Sequence, residues 1–170
     1  MMENRAAMVA VEVHKVLFDP EAGAAALVLR EKEGKRRLLL WIGAAEAMAI
    51  ASAIEGVRLS RPMTHDLIAD VIEKLRAMLV DVRVDSLIEG TYHAVAEMRS
   101  LAGPIDVDCR PSDGIAIALR MDASIHVAAD LLETGDEAGG PRPISISEEA
   151  DGDAPTLEDL PDEIFGKYKM

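Results

Sequence analysis

The sequence is short of cysteine, aromatic residues and positive charge. A single cysteine among 170 residues cannot form an internal disulfide, so nothing here indicates secretion. Aromatic residues make up 3% of the chain, and a core must therefore be built from Leu, Ile, Val, Ala and Met. The chain does not start with positive charge followed by an apolar run, the pattern of a secretory signal. We therefore expect a cytoplasmic protein.

Long apolar runs are also missing. The most membrane-like segment, residues 38–54, is interrupted by Glu46 and is shorter than the roughly 20 residues that a membrane span needs. A carboxylate in such an apolar stretch costs free energy unless it is paired or bound to a ligand. Glu46 therefore has two interpretations, an ion pair with Arg110 or Arg61, or a functional acid.

Basic residues are outnumbered, because the chain has 18 Lys and Arg against 31 Asp and Glu. This balance argues against a protein that binds duplex nucleic acid by covering its phosphates with a basic face. It leaves room for an enzyme that meets phosphate through a metal ion or a small group of arginines. The net charge is −13 overall, and residues 133–170 hold 11 acidic and 3 basic side chains, so much of the charge lies in the tail.

The composition divides the chain into a domain and a tail. Residues 8–132 have the apolar content of one domain with a substantial core. Residues 133–170 are acidic and rich in Gly, Pro and Ser, which predicts a largely disordered tail. Within the tail, residues 157–168 regain apolar side chains and form a possible docking segment, on this protein or on a protein partner.

An internal repeat predicts the fold. When the chain is shifted by 67 positions, residues 42–51 fall on residues 109–118, and Glu46 falls on Asp113. Alternating apolar and polar residues, apolar runs and the turn residues between them predict a run of three strands before each copy. We therefore predict an α+β fold, a mainly antiparallel sheet with helices, built from a duplicated β-β-β-α unit.

The patterns also place individual elements. A helix is expected at residues 44–54 after Gly43, and another begins at Pro111, which suits the first helical position. A third helix is predicted from an N-cap at Thr64, with its apolar stripe continuing as far as Leu79. Residues 125–127 are expected to form a short edge strand, and residues 128–133 a last helical turn.

Polar residues cluster at two of these helix starts. Ser112 and Asp113 follow Pro111, where unpaired backbone N–H groups and the helix dipole favour oxygen atoms and negative charge. His65 and Asp66 lie in the first turn of the predicted long helix. In both places the side chains are either ordinary helix caps or parts of a site, and the sequence leaves both interpretations open.

Three motifs in order resemble the bifunctional nuclease family. The motifs are Trp41-Ile42-Gly43-x-x-Glu46-Ala47, Arg61-Pro62-x-Thr64-His65-Asp66-Leu67 and Asp108-x-Arg110-Pro111-Ser112-Asp113. The resemblance implies a single α+β domain with nuclease activity on DNA and RNA, and nucleic acid as its substrate. One departure is Gly114, where Ala is the more usual helix former.

Two functions remain open at this point. The first is a nuclease of broad specificity, in which Glu46, Asp113, His65 and Asp66 are the catalytic candidates. The substrate-binding candidates are Arg61, Arg110 and Ser112, and Glu46 and Asp113 are the candidate ligands of Mg²⁺ or Mn²⁺. No organic cofactor is expected, no membrane association is expected, and a homo-oligomer is predicted. The second is a non-enzymatic binding or regulatory domain whose polar motifs are caps and ion pairs.

Overall fold

The computed structural model describes residues 7–19, 24–57 and 59–134. Their strands and helices, in chain order, are β1 (Met8–Asp19), β2 (Ala24–Glu31), β3 (Arg36–Gly43), α1 (Ala44–Ile54), α2 (Thr64–Lys74), β4 (Met78–Ile88), β5 (Thr91–Ser100), β6 (Gly103–Cys109), α3 (Pro111–Met121), β7 (Ser124–Ala128) and β8 (Glu133–Thr134). A single 3₁₀ turn, Ala129–Leu131, lies between β7 and β8. The α+β prediction is confirmed. The predicted tail, including the possible docking segment 157–168, lies outside the described residues apart from its first two positions.

The duplication is visible in the element boundaries. Helices α1 and α3 each span 11 residues, and both ends of α3 lie 67 positions after the corresponding ends of α1. Strands β2 and β3 begin 67 positions before β5 and β6 in the same way. One repeat shift therefore aligns a sheet half and its helix with the other sheet half and helix, as the sequence predicts.

The sheet joins the two halves through a strand that belongs to neither repeat. Its strand order is β6-β5-β4-β7-β1-β2-β3-β8. Strand β7 pairs in parallel with β4 and antiparallel with β1. The prediction of an edge strand at residues 125–127 is therefore wrong. Ile125 and Val127 are buried, as a central strand requires, and a run of five residues is too short for its pattern to show this.

The core is aliphatic, as the scarcity of aromatic residues predicts. Its largest fully buried side chains come from the sheet and from one position in each repeated helix, namely Leu27, Leu29, Ile50, Ile115, Val11, Val82, Val84 and Val127. Ile50 of α1 and Ile115 of α3 have no exposed surface. The two repeated helices therefore pack on the sheet and against each other, and this packing brings their N-termini together.

Helix α2 is shorter than its apolar stripe predicts. It ends at Lys74, Arg76 adopts a left-handed φ of 57°, and Met78 already belongs to β4. The predicted continuation to Leu79 is wrong because the apolar residues after Lys74 suit a strand as well as a helix, and the buried strand prevails. The N-cap is Met63 and not Thr64.

The apolar stripe of α2 is largely exposed. Leu67, Val71 and Leu75 retain 55%, 46% and 71% of their surface. A contiguous apolar surface of this kind is typical of an interaction site. None of the helices in the described residues has the length and apolar character that a membrane span needs.

Gly114 permits the close approach of α3 to the sheet. A Cβ at this position would lie 2.8 Å from Val82 Cγ1 and 3.0 Å from Cys109 Sγ. Although Ala favours a helix over Gly by about 1 kcal/mol, we expect Gly114→Ala to destabilise the protein by roughly 1–3 kcal/mol. Urea unfolding followed by circular dichroism measures the difference.

The corresponding position of α1 provides the control. It is Ala47, which is buried and 67 positions earlier. Ala47→Gly removes a methyl group without a clash, so its cost of about 1 kcal/mol should come from helix propensity and lost burial. A higher midpoint of unfolding for Gly114→Ala than for the unmodified protein would contradict the packing argument.

Candidate active site

The N-termini of α1 and α3 bring the repeated carboxylates to one guanidinium. Arg110 Nη1 lies 3.0 Å from Glu46 Oε1. The same side chain donates from Nε to Asp113 Oδ2 at 2.8 Å and from Nη2 to Asp113 Oδ1 at 3.1 Å. Glu46 and Asp113 each occupy the third position of their helices, so the convergence is a direct result of the duplication.

Local sequence explains why these side chains face each other. Gly43 and Arg110 are the N-cap residues of α1 and α3, and both have extended backbone. A Cβ on Gly43 would lie 2.5 Å from Glu46 Oε2, so the absence of a side chain allows Glu46 to fold back over the helix start. At α3, Pro111 is the first helical residue, as predicted.

Helix α2 adds a histidine to the pair of carboxylates. His65 Nε2 lies 3.3 Å from Asp113 Oδ1. Glu46, His65, Arg110 and Asp113 are called the polar cluster below. The side chains of His65, Glu46 and Asp113 are 13%, 19% and 28% exposed, whereas Arg110 is 67% exposed. The acidic and imidazole groups are thus largely shielded, and the guanidinium faces solvent.

The polar cluster lines a groove with a volume of about 620 Å³. This volume falls within the usual range for small-molecule sites. The other walls are mostly apolar and come from all three helices and from β4, β5 and β6. The main apolar side chains of the lining are Met48, Met63, Ile68, Ile72, Leu79, Met98, Val107 and Ile117. The acidic residues and the arginine therefore line a concavity that solvent can enter.

The contacts of the cluster fix its charge. Burial alone would raise the pKa of Asp113, but hydrogen bonds from Arg110 and His65 outweigh it and lower that pKa below its ordinary value of 3.8. The hydrogen bonds and charge of Asp113, with a further contribution from Glu46, raise the pKa of Arg110. At neutral pH the cluster therefore holds an ionised Asp113 beside a permanently charged guanidinium.

The expected metal site depends on which donor atoms of the polar cluster are free to bind an ion. In the part of the chain that the structure describes, no three His, Cys, Asp or Glu side chains are arranged to hold a metal ion. The two expected ligands, Glu46 and Asp113, both bind the guanidinium of Arg110, which therefore takes the position a shared cation would need. This arrangement does not fit a ready Mg²⁺ or Mn²⁺ site, and binding of either ion stays a prediction for a metal titration.

Asp66 has different partners from its neighbour His65. Its Oδ2 accepts a hydrogen bond from the backbone N–H of Met63 at 2.8 Å, and its Oδ1 accepts one from Arg120 Nε at 2.5 Å. It does not line the groove. The structure therefore places Asp66 at a helix cap and an ion pair, which is the first of the two interpretations that the sequence allows.

Two further candidates also lie outside the groove lining. Ser112 is 6% exposed and packs in the first turn of α3. Arg61 is exposed in the connector before α2, and within the described residues Glu46 pairs with Arg110 and not with Arg61. Of the seven predicted site residues, the structure brings Glu46, His65, Arg110 and Asp113 together.

The sequence did not single out Arg120, which connects the three helices. Its Nη1 donates to the carbonyl oxygens of Ala49 at 2.9 Å and Ala116 at 2.8 Å, and its Nη2 lies 3.4 Å from Ser52 Oγ. Together with the Asp66 contact, these bonds join α3 to α1 and α2. A basic residue in the last turn of a helix is so common that its position in the sequence did not reveal this role.

Acidic pH should lower the stability of the folded protein by protonating Asp66 and Asp113. Burial raises the pKa of Asp66, but the bonds from Arg120 and Met63 outweigh it, so the folded pKa lies below 3.8. A carboxylate with a lowered folded pKa contributes stability above its unfolded pKa and loses it as pH falls through the folded value. We therefore expect Asp66→Asn to be less stable than the unmodified protein at pH 7, with the difference vanishing below the lowered pKa. Thermal unfolding across this pH range measures it.

Asp130→Asn is the matched control, because Asp130 is exposed in the 3₁₀ turn. Its stability at pH 7 should stay within about 0.5 kcal/mol of that of the unmodified protein, as for most exposed substitutions. An Asp66→Asn deficit that stays the same from pH 7 into strong acid would show that the ion pair is not its source.

Comparisons with known proteins identify the family of this chain. The bifunctional nuclease domain pattern matches residues 27–138. An uncharacterized protein of Mycobacterium tuberculosis is 43% identical over 130 residues, which cover 76% of this chain and 73% of that protein. A protein of Oryza sativa subsp. japonica named bifunctional nuclease 2 is 29% identical over 110 residues, 62% of this chain and 34% of its own length.

Bifunctional nuclease 2 of Arabidopsis thaliana is 26% identical over 106 residues, 60% of this chain and 32% of its own length. The chain thus spans about a third of these plant proteins and most of the mycobacterial one. The matched residues contain all four members of the polar cluster. On this evidence, the chain belongs to the bifunctional nuclease domain family.

Proposed function

We propose that the protein hydrolyses phosphodiester bonds of DNA and RNA at the polar cluster. The observation that carries this proposal is the convergence of Glu46, Asp113 and His65 on Arg110 in an open groove. Family membership supports the same chemistry, since distant plant relatives are named nucleases. Acid–base groups beside an exposed guanidinium are the parts that a phosphodiesterase needs.

Arg110 is the proposed phosphate ligand. Its guanidinium is always charged and offers several N–H donors in one plane, which suits two oxygens of a phosphate. In the absence of substrate these donors bind the two carboxylates, and the side chain is 67% exposed. A phosphate at the mouth of the groove would therefore exchange part of this contact for its own oxygens.

Asp113 and His65 are the proposed proton-transfer groups. Hydrolysis forms a bond from a water oxygen to phosphorus and breaks one bond from phosphorus to an ester oxygen. The attacking water loses a proton, and the leaving oxygen gains one. The His65–Asp113 contact of 3.3 Å couples an imidazole to an ionised carboxylate, so a proton taken from water has an acceptor within the cluster.

Glu46 has the proposed role of holding Arg110 and sharing the proton transfer. Its contact of 3.0 Å is with Nη1, whereas Asp113 is bound by Nε and Nη2, so Glu46 helps to orient the guanidinium. When a phosphate draws Arg110 away, the Glu46 carboxylate is released beside the reacting water. This role would give both copies of the duplicated unit a part in one reaction.

A binding or regulatory domain without catalysis is the second candidate. The observation that favours it is that both carboxylates already have an ion-pair partner, and that no three-ligand metal group is present among the described residues. Under this alternative, Arg110 simply stabilises the two helix starts. The protein would then bind its partner without changing it.

Cleavage of defined oligonucleotides distinguishes the two candidates. Purified protein is incubated with a single-stranded 20-mer DNA and RNA, in chelator alone and then with Mg²⁺ or Mn²⁺. We expect shorter products, with activity that elutes together with the protein in size-exclusion chromatography. The two metal arms test the predicted metal requirement. Intact substrate under every condition would favour the binding domain.

We also propose self-association, for which the exposed stripe of α2 is the support. Leu67, Val71 and Leu75 present an apolar surface that a second copy would bury. Light scattering after size-exclusion chromatography measures the oligomeric state. Location in the cytoplasm and a protein partner for the acidic tail stay predictions.

A further inference from the structure

The groove beside the polar cluster has an apolar part that phosphate chemistry does not explain. Helix α2 contributes Ile68 and Ile72 to one wall, and β5 and β6 contribute Met98 and Val107 to the wall formed by the sheet. Ile68 is 37% exposed and Val107 is 41% exposed. Apolar side chains that are this exposed in a concave site can contact a ligand with an apolar surface.

This apolar part is continuous with the polar cluster along β6. Val107 lies three residues before Arg110, which is about 10 Å along an extended strand. Cys109, on the same face of the strand as Val107, also lines the groove, and burial raises the pKa of its thiol. A ligand bound by Arg110 through a negative group therefore has a mostly apolar surface within reach, and Asp108 is the one lining carboxylate outside the polar cluster.

Charge limits how a nucleic acid could bind here. The cluster contains one arginine beside two carboxylates, and the whole chain has a net charge of −13. Neutralisation of many phosphates cannot supply the binding energy in such a site. The remaining source is burial of a base, and a base is free to leave its stack most easily when it is unpaired.

From these observations, and resting on the proposed function above, we infer that the groove is a base subsite for single-stranded nucleic acid. An unpaired nucleobase lies between the apolar side chains of α2 and those of β5 and β6, and its phosphate meets Arg110. Apolar side chains can hold a flipped or unpaired base between them in this way. The substrate class is therefore single-stranded DNA or RNA, and paired segments are poor substrates.

Binding of short oligonucleotides tests the inference. The probes are a fluorescent, phosphorothioate-linked ten-nucleotide oligothymidylate, the same backbone without bases, and a ten-base-pair duplex. We expect the oligothymidylate to bind at least about 10-fold more tightly than the other two, because only it offers unpaired bases. Contact with one or two phosphates predicts a shallow dependence, with log K falling by roughly 0.7–1.4 per tenfold rise in salt.

A matched pair of variants locates the binding surface. Val107→Ser removes apolar surface from the groove, whereas Val57→Ser makes the same change at a valine between α1 and α2 that is 46% exposed and does not line the groove. We expect Val107→Ser to weaken oligothymidylate binding by roughly 5–10-fold, since two methyl groups are lost, and Val57→Ser to leave it unchanged.

The outcomes separate the two proposals. Oligothymidylate binding that depends on Val107, without cleavage of any nucleic acid, supports the base subsite and overturns the nuclease. If the protein cleaves nucleic acid but binds the duplex and the abasic strand as tightly as the oligothymidylate, the base subsite is overturned and the nuclease proposal remains. Cleavage combined with equal effects of the two serine variants on binding has the same consequence. If the protein neither binds nor cleaves any of these nucleic acids, both proposals are overturned.

Discussion

Replacement of Asp113 by Asn should lower the rate of oligonucleotide cleavage by about 100-fold or more. A positioned acid–base group typically contributes a factor of 10²–10⁴. Asp113 contacts two other members of the polar cluster, Arg110 at 2.8 Å and His65 at 3.3 Å. Asparagine has nearly the same shape and still accepts a hydrogen bond from Arg110, so the loss should come from charge and basicity. Initial rates with single-stranded DNA and RNA measure it.

Asp108→Asn is the control for this change. Asp108 lies two residues before Arg110, lines the same groove and is exposed, but none of the polar-cluster contacts described above includes it. Its removal changes the net charge by the same amount, so its cleavage rate should change only a few-fold. Equal losses in the two variants would assign the effect to the overall charge of the groove, and full activity in Asp113→Asn would remove Asp113 from the mechanism.

Replacement of Arg120 by Met should destabilise the protein by about 2–4 kcal/mol. The side chain of Arg120 is 10% exposed and binds Asp66 together with the backbone carbonyl oxygens of Ala49 and Ala116. Methionine fills a similar volume but leaves these acceptors without a donor, and loss of one partner of a largely buried pair is costly. For a domain of this size the melting temperature should fall by roughly 10 °C, which thermal unfolding measures.

Two variants define the origin of that loss. Arg99→Met removes an exposed arginine of β5 and should change the melting temperature by only a few degrees. Arg120→Lys keeps the charge near Asp66 but cannot reach all the same acceptors, so its stability should be intermediate. If Arg120→Met proved as stable as the unmodified protein, the helices would not depend on this residue for their arrangement.

The duplicated unit is the part of the fold that the sequence predicts best. The match of Ala49-Ile50-Ala51 with Ala116-Ile117-Ala118 aligns elements that do share an offset of 67 positions. Pro111 and Gly43 mark the two helix starts by local chemistry alone, because proline has no N–H to leave unpaired and glycine leaves room for Glu46. Features that depend on such local chemistry can be predicted from the sequence alone.

Features that depend on contacts between distant parts of the chain were not predicted from the sequence. The central position of β7 follows from its pairing with β4 and β1, far apart in sequence, and nothing in five residues encodes it. The end of α2 was misplaced because the residues after Lys74 fit both periods, and burial in the sheet decides between them.

In the candidate site too, the sequence predicted local features but not those that depend on long-range packing. The repeat identified Glu46 and Asp113 as equivalent, but their approach to a common guanidinium required the packing of α1 against α3. His65 and Asp66 are adjacent in sequence, yet one meets Asp113 and the other meets Arg120, since neighbouring side chains on a helix point in different directions. The apolar groove was not predicted, because its side chains come from separate helices and strands.

A double-mutant cycle on Glu46→Gln and Asp113→Asn tests the account most directly, with cleavage of a single-stranded oligonucleotide as the readout. Residues that act as one catalytic unit have strongly non-additive effects. We predict that each single variant loses most of the activity and that the double variant is scarcely slower than the slower single one. Full cleavage by both single variants, or losses that simply multiply in the double variant, would contradict a shared active site at the two helix starts.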